Sequence, residues 1–278
     1  ESDKGNSLWE YAYNKYLCEE YIKEYFKKME DSFYTIIRPY VTYDNTRVPY
    51  PLVPRNKKYE WSLIERIKNN QIIPIFDDGT TETALLHTKD FAFLTVGLFG
   101  NKNAFNNDFN IADNNTTTWG NVLDTLEKCL DIKVYKENFE QNSVYKFLPQ
   151  FKSVLLGDKG HNIHFNTKKI TNAVAGYVKT ISLETGLKEM IAFYEMHPDR
   201  KMIDYYWNGQ VDRLLLTKGI KNKYEYHFNK IQDKIKYYAG KFELLYFPYL
   251  VLQKLMNVKN PFLKRCKYYV RQIILSFR

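Results

Sequence analysis

Between residues 7 and 197 the chain alternates helix-like with strand-like segments, and that alternation restricts the fold more than any other feature. Ser7 to Glu30 has helical apolar spacing, with Ser7 as N-cap and Glu10 three residues on, as in a capping box. Ser32 to Val41 is β-branched and aromatic and is stopped by Pro39, so it predicts a strand. Pro49, Pro51 and Pro54 make 47–57 irregular. The spacing then predicts helices over Ser62–Asn69, Lys89–Gly100, Thr117–Leu130, Asn166–Asn172 and Ser182–His197. Strands are predicted over Ile72–Phe76, Phe109–Ala112 and Ile132–Tyr135, with a turn at Asp77-Asp78-Gly79. Leu148 to His161, with two glycines, reads as a loop. Strands and helices in this order define an α/β protein.

A chain of 278 residues with 44% hydrophobic and 17% aromatic residues can bury a sizeable core and is not a disordered composition. The three cysteines, Cys18, Cys129 and Cys266, are widely spaced and form no CxxC or Cys/His cluster. A disulfide framework and a zinc site are therefore not expected, and a reducing, cytoplasmic setting is. No apolar run reaches the length of a membrane span, and the first residues are polar and acidic.

The net charge of +9 is unevenly placed. From Gly219 to Arg278 there are ten Lys and three Arg against Glu225, Asp233 and Glu243, a balance of +10, so residues 1–218 sum to −1. The sequence predicts a near-neutral body over 1–197 and a basic helical tail over 198–278. Helices are expected at Tyr224–Lys241, Phe242–Met256 and Lys264–Phe277. Aromatic and aliphatic residues flanked by Lys and Arg suit the inner face of a membrane or packing on the body or a partner. No RNA- or DNA-binding motif points to nucleic acid.

Three Y-x-x-x-K pairs occur, Tyr11/Lys15, Tyr226/Lys230 and Tyr237/Lys241. With 24 Tyr in a lysine-rich chain, any one of them is expected by chance, as a surface pair on a helix. Order separates them. Only Tyr11/Lys15 precedes a strand ending in Arg38-Pro39, an Asp78-Gly79-Thr80 turn, His87, Asp90 and the strand Phe109-Asn110-Ile111. On a helix, positions i and i+4 share a face, so the phenol and the ammonium can meet at one substrate. A nearby Lys charge favours the phenolate and makes Tyr a usable base.

That ordered set resembles the second half of an extended short-chain dehydrogenase/reductase of the NAD-dependent epimerase/dehydratase type, over about residues 1–197. The resemblance implies the C-terminal part of a Rossmann-type NAD(P)-binding fold with its smaller substrate domain. It implies that Tyr11 takes the proton of a sugar hydroxyl while Lys15 assists and also holds the nicotinamide ribose of NAD or NADP. Ile36 to Tyr43 looks like the family's R-P-x-x-v-Y-G stretch, which gives Arg38, Pro39, Tyr40 and Val41 to the cofactor and Thr42 and Tyr43 to the substrate. Asp77 to Asp90 looks like the family's gdGtqtRdfvhvdD run, with His87 and Asp90 expected to cap and tie down the next helix. Asn166 to Ile170 and Ile181 to Leu187 are similar to its closing segments.

Two departures stand out. The usual Gly after the Tyr of R-P-x-x-v-Y-G is Asp44, and the Arg that pairs with a nucleotide-sugar diphosphate is Thr83, a substrate position that cannot supply the same charge. No G-x-x-G-x-x-G is present, and the family's catalytic Ser/Thr would lie before Glu1. The chain does not begin with Met and is expected to be the C-terminal part of an enzyme, inactive alone. The expected function is transient oxidation of a nucleotide-activated sugar, giving epimerisation or dehydration, in a homodimer that includes the Tyr11 helix. The alternative is a catalytically drifted relative that binds a ligand, a membrane surface or a protein partner.

Overall fold

In a computed structural model of the chain, residues 10–242 and Leu245 are described. The Ser7 cap and the helices expected over Phe242–Met256 and Lys264–Phe277 fall outside them, apart from Phe242 and Leu245. The elements run α1 (Glu10–Phe26), β1 (Thr35–Pro39), β2 (Val41–Tyr43), α2 (Trp61–Lys68), β3 (Ile73–Phe76), β4 (Glu82–Thr83), β5 (Leu85–His87) and α3 (Thr88–Val96). They continue as β6 (Asn107–Ile111), β7 (Thr117–Thr118), α4 (Trp119–Leu130), β8 (Lys136–Phe139), α5 (Gln141–Phe147) and a short α6 (Lys152–Val154). α7 (Lys168–Ala173), α8 (Leu183–Met196), α9 (Tyr205–Leu216) and α10 (Ile231–Lys241) complete the described part.

Three strand pairs are parallel, β1 with β6, β2 with β5 and β3 with β8, while β4 and β7 pair antiparallel. Each parallel pair is joined through intervening helices, as parallel strands require. Two clusters hold them. The larger packs α2, β3, α4, α8 and α9 through Trp61, Phe76, Leu123, Met190 and Trp207. The smaller closes β6, α3 and α7 around Leu94, Phe109, Ile111 and Ile170. The division expected at 197/198 falls between α8 and α9, and α9 sends Trp207, Val211 and Leu214 into the larger cluster.

Local chemistry explains most boundaries. Thr118 caps α4 by accepting from Asn121 N, and Ser182 caps α8 by accepting from Thr185 N. His87 caps α3 through Nδ1, and Asp90 accepts from the backbone N–H groups of Thr180 and Ile181, tying the helix to that loop as expected.

Three segments differ from the sequence reading. The strand expected at Ile132–Tyr135 lies four residues later, because Ile73 pairs with Lys136. Leu148–His161 is helical rather than a loop: a 3-10 turn at Pro149–Phe151, α6, and a π turn at Leu155–Lys159. Leu148, Phe151 and Leu155 are buried at helical spacing, and that decides the conformation. Tyr224 to Phe228 is not helical; α10 starts only at Ile231.

Candidate active site

The helix α1 buries none of its own residues and brings Tyr11, Lys15 and Glu19 to one face. Against that face lie the end of β1 and the segment before α7, enclosing a cleft of about 1110 Å³. Tyr11, Lys15, Arg38, Pro39 and Tyr40 all line it. The Lys15 ammonium lies 5.6 Å from the centre of the Tyr11 ring, and Tyr11 is 60% exposed to the cleft and solvent.

Pro39 terminates β1, so the chain leaves its partner strand beside the cleft, with Tyr40 N still donating to Ile111 O. The Arg38 guanidinium is held by Glu19 of α1, with Nε and Nη2 to the carboxylate at 2.8 and 2.5 Å, and by Asp108 of β6 at 2.8 Å. The bond to Glu19 raises the Arg38 pKa further. Burial works against the Asp108 charge, but Lys169, Arg38 and Lys23 hold its carboxyl below the usual range. This ion network fastens α1 to the β1–β6 pair and fixes where Tyr11 and Lys15 stand. Arg38 therefore lines the cleft as a fastener of α1.

The other expected site residues lie apart from the cleft. Val41 is buried in β2. Thr42 uses its carbonyl to accept from Arg47. Tyr43 is 1% exposed, packs edge-on against His87 and meets α8 at Gly186. Thr83 is 1% exposed in the β4–β7 pair. Of the other two Y-x-x-x-K pairs, Lys241 Nζ does donate to Tyr237 OH at 3.1 Å. That phenol in turn donates to buried Asp212, so the pair belongs to the packing of α10.

Sequence reasoning missed several cleft residues: Glu19, His164, Phe165, Lys168 and Lys169. His164 Nε2 lies 2.9 Å from Glu82, and Phe165 packs its ring 4.9 Å from that of Tyr40. Only the acidic residue on the Tyr11 helix face was legible beforehand, because Glu19 follows Lys15 by one helical turn.

The π turn Leu155–Lys159 sets Asp158 beside the cleft, where its carboxylate accepts from the Tyr40 phenol at 2.8 Å. Burial, then Asp158, pushes the Tyr40 pKa far above its ordinary value, so Tyr40 is a neutral donor. Gly160 closes this turn; a Cβ there would stand 2.3 Å from Gln141 Oε1 and 2.5 Å from Leu155 O. Among the described residues no group of three His, Cys, Asp or Glu is placed to hold a metal, and no helix is long and apolar enough to cross a membrane.

Residues 1–112 match the model of the NAD dependent epimerase/dehydratase family, and Tyr11, Lys15 and Arg38-Pro39 all lie within the matched part. No curated protein matches the sequence. Among solved structures the fold is similar to an epimerase of Methanothermobacter thermautotrophicus, at 13% identity and a TM-score of 0.53, covering 68% of this chain and 51% of that one. It is also similar to the dTDP-glucose 4,6-dehydratase of Bacillus anthracis, solved with NAD, at 18% identity and a TM-score of 0.50, covering 70% and 54%. Pal of Bacillus thuringiensis gives 16% identity and a TM-score of 0.50, covering 70% and 59%. The chain thus spans between half and three-fifths of the length of these structures, and the likeness establishes the α/β fold.

Proposed function

We propose that the chain carries the Tyr/Lys half of an NAD-dependent epimerase or dehydratase acting on a nucleotide-activated sugar. The observation that supports this most is the gathering of Tyr11, Lys15, Pro39 and Tyr40 on one cleft, while neither of the other Tyr/Lys pairs reaches it. The donor set fits the nicotinamide end of a dinucleotide: the Lys15 ammonium for the ribose hydroxyls, beside the strand end at Pro39. Lys15, Pro39, Tyr40 and the adjoining backbone would hold it. When bound, the dinucleotide would supply a reversible hydride acceptor for the sugar carbon.

The chain's own residues have separate roles in this reading. Tyr11 Oη accepts the proton of the sugar hydroxyl and gives it back. Lys15, one helical turn away, stabilises the phenolate and fixes the ribose. Glu19, Arg38 and Asp108 act one step behind, keeping α1 in place.

A drifted, ligand-binding relative is the second reading, favoured by Thr83. This residue stands where the family places a diphosphate-binding Arg, and it is buried and uncharged. Calorimetry on the protein expressed from its natural reading frame separates the two. Binding of both NADH and a uridine-diphosphate sugar is expected for the enzyme; binding of at most one of them favours the drifted relative.

A further inference from the structure

Charge is segregated along this chain, and the fold gathers part of the excess on one surface. Residues 1–218 carry a balance of −1, whereas 219–242 hold six lysines against Glu225 and Asp233. Residues 221–228 run extended, with Lys221, Lys223, Glu225 and His227 exposed and Asn222, Tyr226 and Phe228 turned inward. This strap is held from its inner side. Asn222 donates to Asp212 of α9 at 2.9 Å, and the Tyr226 phenol donates to Gln71 at 2.7 Å. Its outward lysines therefore stand on a fixed segment.

Helix α10 follows directly. Ile235, Ala239 and Leu245 close its inner side, packed with Tyr206 of α9. Its other face carries Ile231, Lys234 and Tyr238 at spacings of three and four, and Phe242 follows one turn on. Ile231 and Phe242 are 40% and 42% exposed, and the Phe242 ring stacks on that of Tyr238 at 6.0 Å. The lysines around these apolar side chains are uncompensated. Among the described residues Lys221, Lys223, Lys230 and Lys234 form no ion pair with a carboxylate, whereas Lys218 pairs with Glu137 and Lys236 with Asp233. The sequence beyond keeps this composition: it is apolar from Leu244 to Leu252, and 243–278 hold four Lys and three Arg against Glu243.

We propose that the 221–230 strap and the outer face of α10 form a docking surface for an anionic phospholipid bilayer, on which the protein lies without crossing it. Lysines alone would suit any polyanion. Ile231 and Phe242 decide between partners, because an exposed apolar side chain gains only where an apolar layer lies beneath the charged one. The boundary between headgroups and acyl chains is such a layer, and lysine stems reach across it with the ammonium kept in water. Each lysine near an anionic leaflet strengthens partitioning roughly fivefold, so the four uncompensated ones supply most of the attraction. Among the described residues no helix is long and apolar enough to span the bilayer, which fits contact at its surface. The surface follows from charge and exposure alone and stands whether or not the Tyr11 chemistry does.

Flotation of the full chain with vesicles of phosphatidylglycerol and phosphatidylcholine in equal parts, against vesicles of phosphatidylcholine alone, tests this. Binding to the anionic vesicles is expected to be at least about tenfold tighter and to weaken as salt is added. Changing Lys221, Lys223 and Lys230 together to Gln should weaken it on the order of 100-fold, at roughly fivefold per lysine. The same change of charge at the exposed Lys28, Lys102 and Lys128 should leave it nearly unchanged. A further variant separates lipid from other polyanions: Ile231→Ser with Phe242→Ser should weaken vesicle binding several-fold and leave retention on double-stranded DNA unaltered. All these side chains are exposed, and an unchanged melting temperature reports that each variant folds. No binding to anionic vesicles at low salt overturns the proposal. So do equal losses in the two lysine triples, or vesicle binding indifferent to the change at Ile231 and Phe242.

Discussion

The Tyr40 phenol and the Asp158 carboxylate, 118 residues apart, meet in a 2.8 Å hydrogen bond that joins the cleft to the Leu155–Lys159 turn. Because burial keeps the phenol neutral, it is a fixed donor over the whole working pH range. Tyr40→Phe removes it and leaves Asp158 with Lys159. We expect a loss of about 1 kcal/mol in urea unfolding, the scale of one hydrogen bond to a partly buried group.

Arg66 and Asp212 form a buried ion pair, Nη2 to Oδ1 at 3.0 Å, with both side chains 1% exposed. Asp212 also accepts from Asn222 and from Tyr237, so one carboxylate gathers α2, α9, α10 and the segment between the last two. Asp212→Ala should destabilise by roughly 3–5 kcal/mol, because Arg66 would be left charged and buried. Arg66→Met combined with Asp212→Leu should cost clearly less than the sum of the single changes, as a double-mutant cycle in denaturant would read.

Glu60 makes stability depend on pH in a defined direction. Its folded pKa, raised by burial to about 7, lies above that of an unfolded Glu, so between about pH 4.5 and 7 the folded state holds a proton that the unfolded state has lost. That contribution is complete below about pH 4.5 and disappears as pH rises through 7. Glu60→Gln keeps an acceptor for Val48 N without the charge. It should therefore be more stable than wild type at pH 8, by on the order of 2 kcal/mol in urea unfolding, and gain little at pH 4.5.

Helices α9 and α10 touch backbone to backbone. A Cβ on Gly209 would stand 2.1 Å from Tyr237 O, and one on Gly240 would stand 2.2 Å from Tyr206 O. Each glycine thus admits the other helix. Gly240→Ala should push α10 outward and destabilise by about 1–3 kcal/mol, with earlier amide exchange in α10 than in α4.

Much of the fold was legible because local chemistry and burial agree. Thr118 and Ser182 signal helix starts and cap them; Pro39 signals a strand end and makes one. Where the reading failed, tertiary contacts outweighed local cues. The two glycines of 148–161 suggested a loop, but burial of Leu148, Phe151 and Leu155 winds it into helical turns. Asn222, Tyr224, Tyr226 and Phe228 turn inward while Lys221, Lys223, Glu225 and His227 stay exposed. This period-two signal was present in the sequence and was overridden by the helical run that follows it. At the site, Tyr11, Lys15 and Tyr40 could be read from their motifs. His164 and Lys169 could not, since only the folded chain brings them to the cleft.

The central claim is that Tyr11 moves the proton. It is tested most directly by Tyr11→Phe in the protein expressed from its natural reading frame, assayed for turnover of uridine- and thymidine-diphosphate sugars with NAD. Tyr11 is exposed on a helix that buries nothing, so the variant should fold with an unchanged melting temperature. The account predicts a fall in kcat of about 10²–10⁴-fold, the usual contribution of a positioned acid–base group. A wild-type kcat in the Phe variant would contradict it.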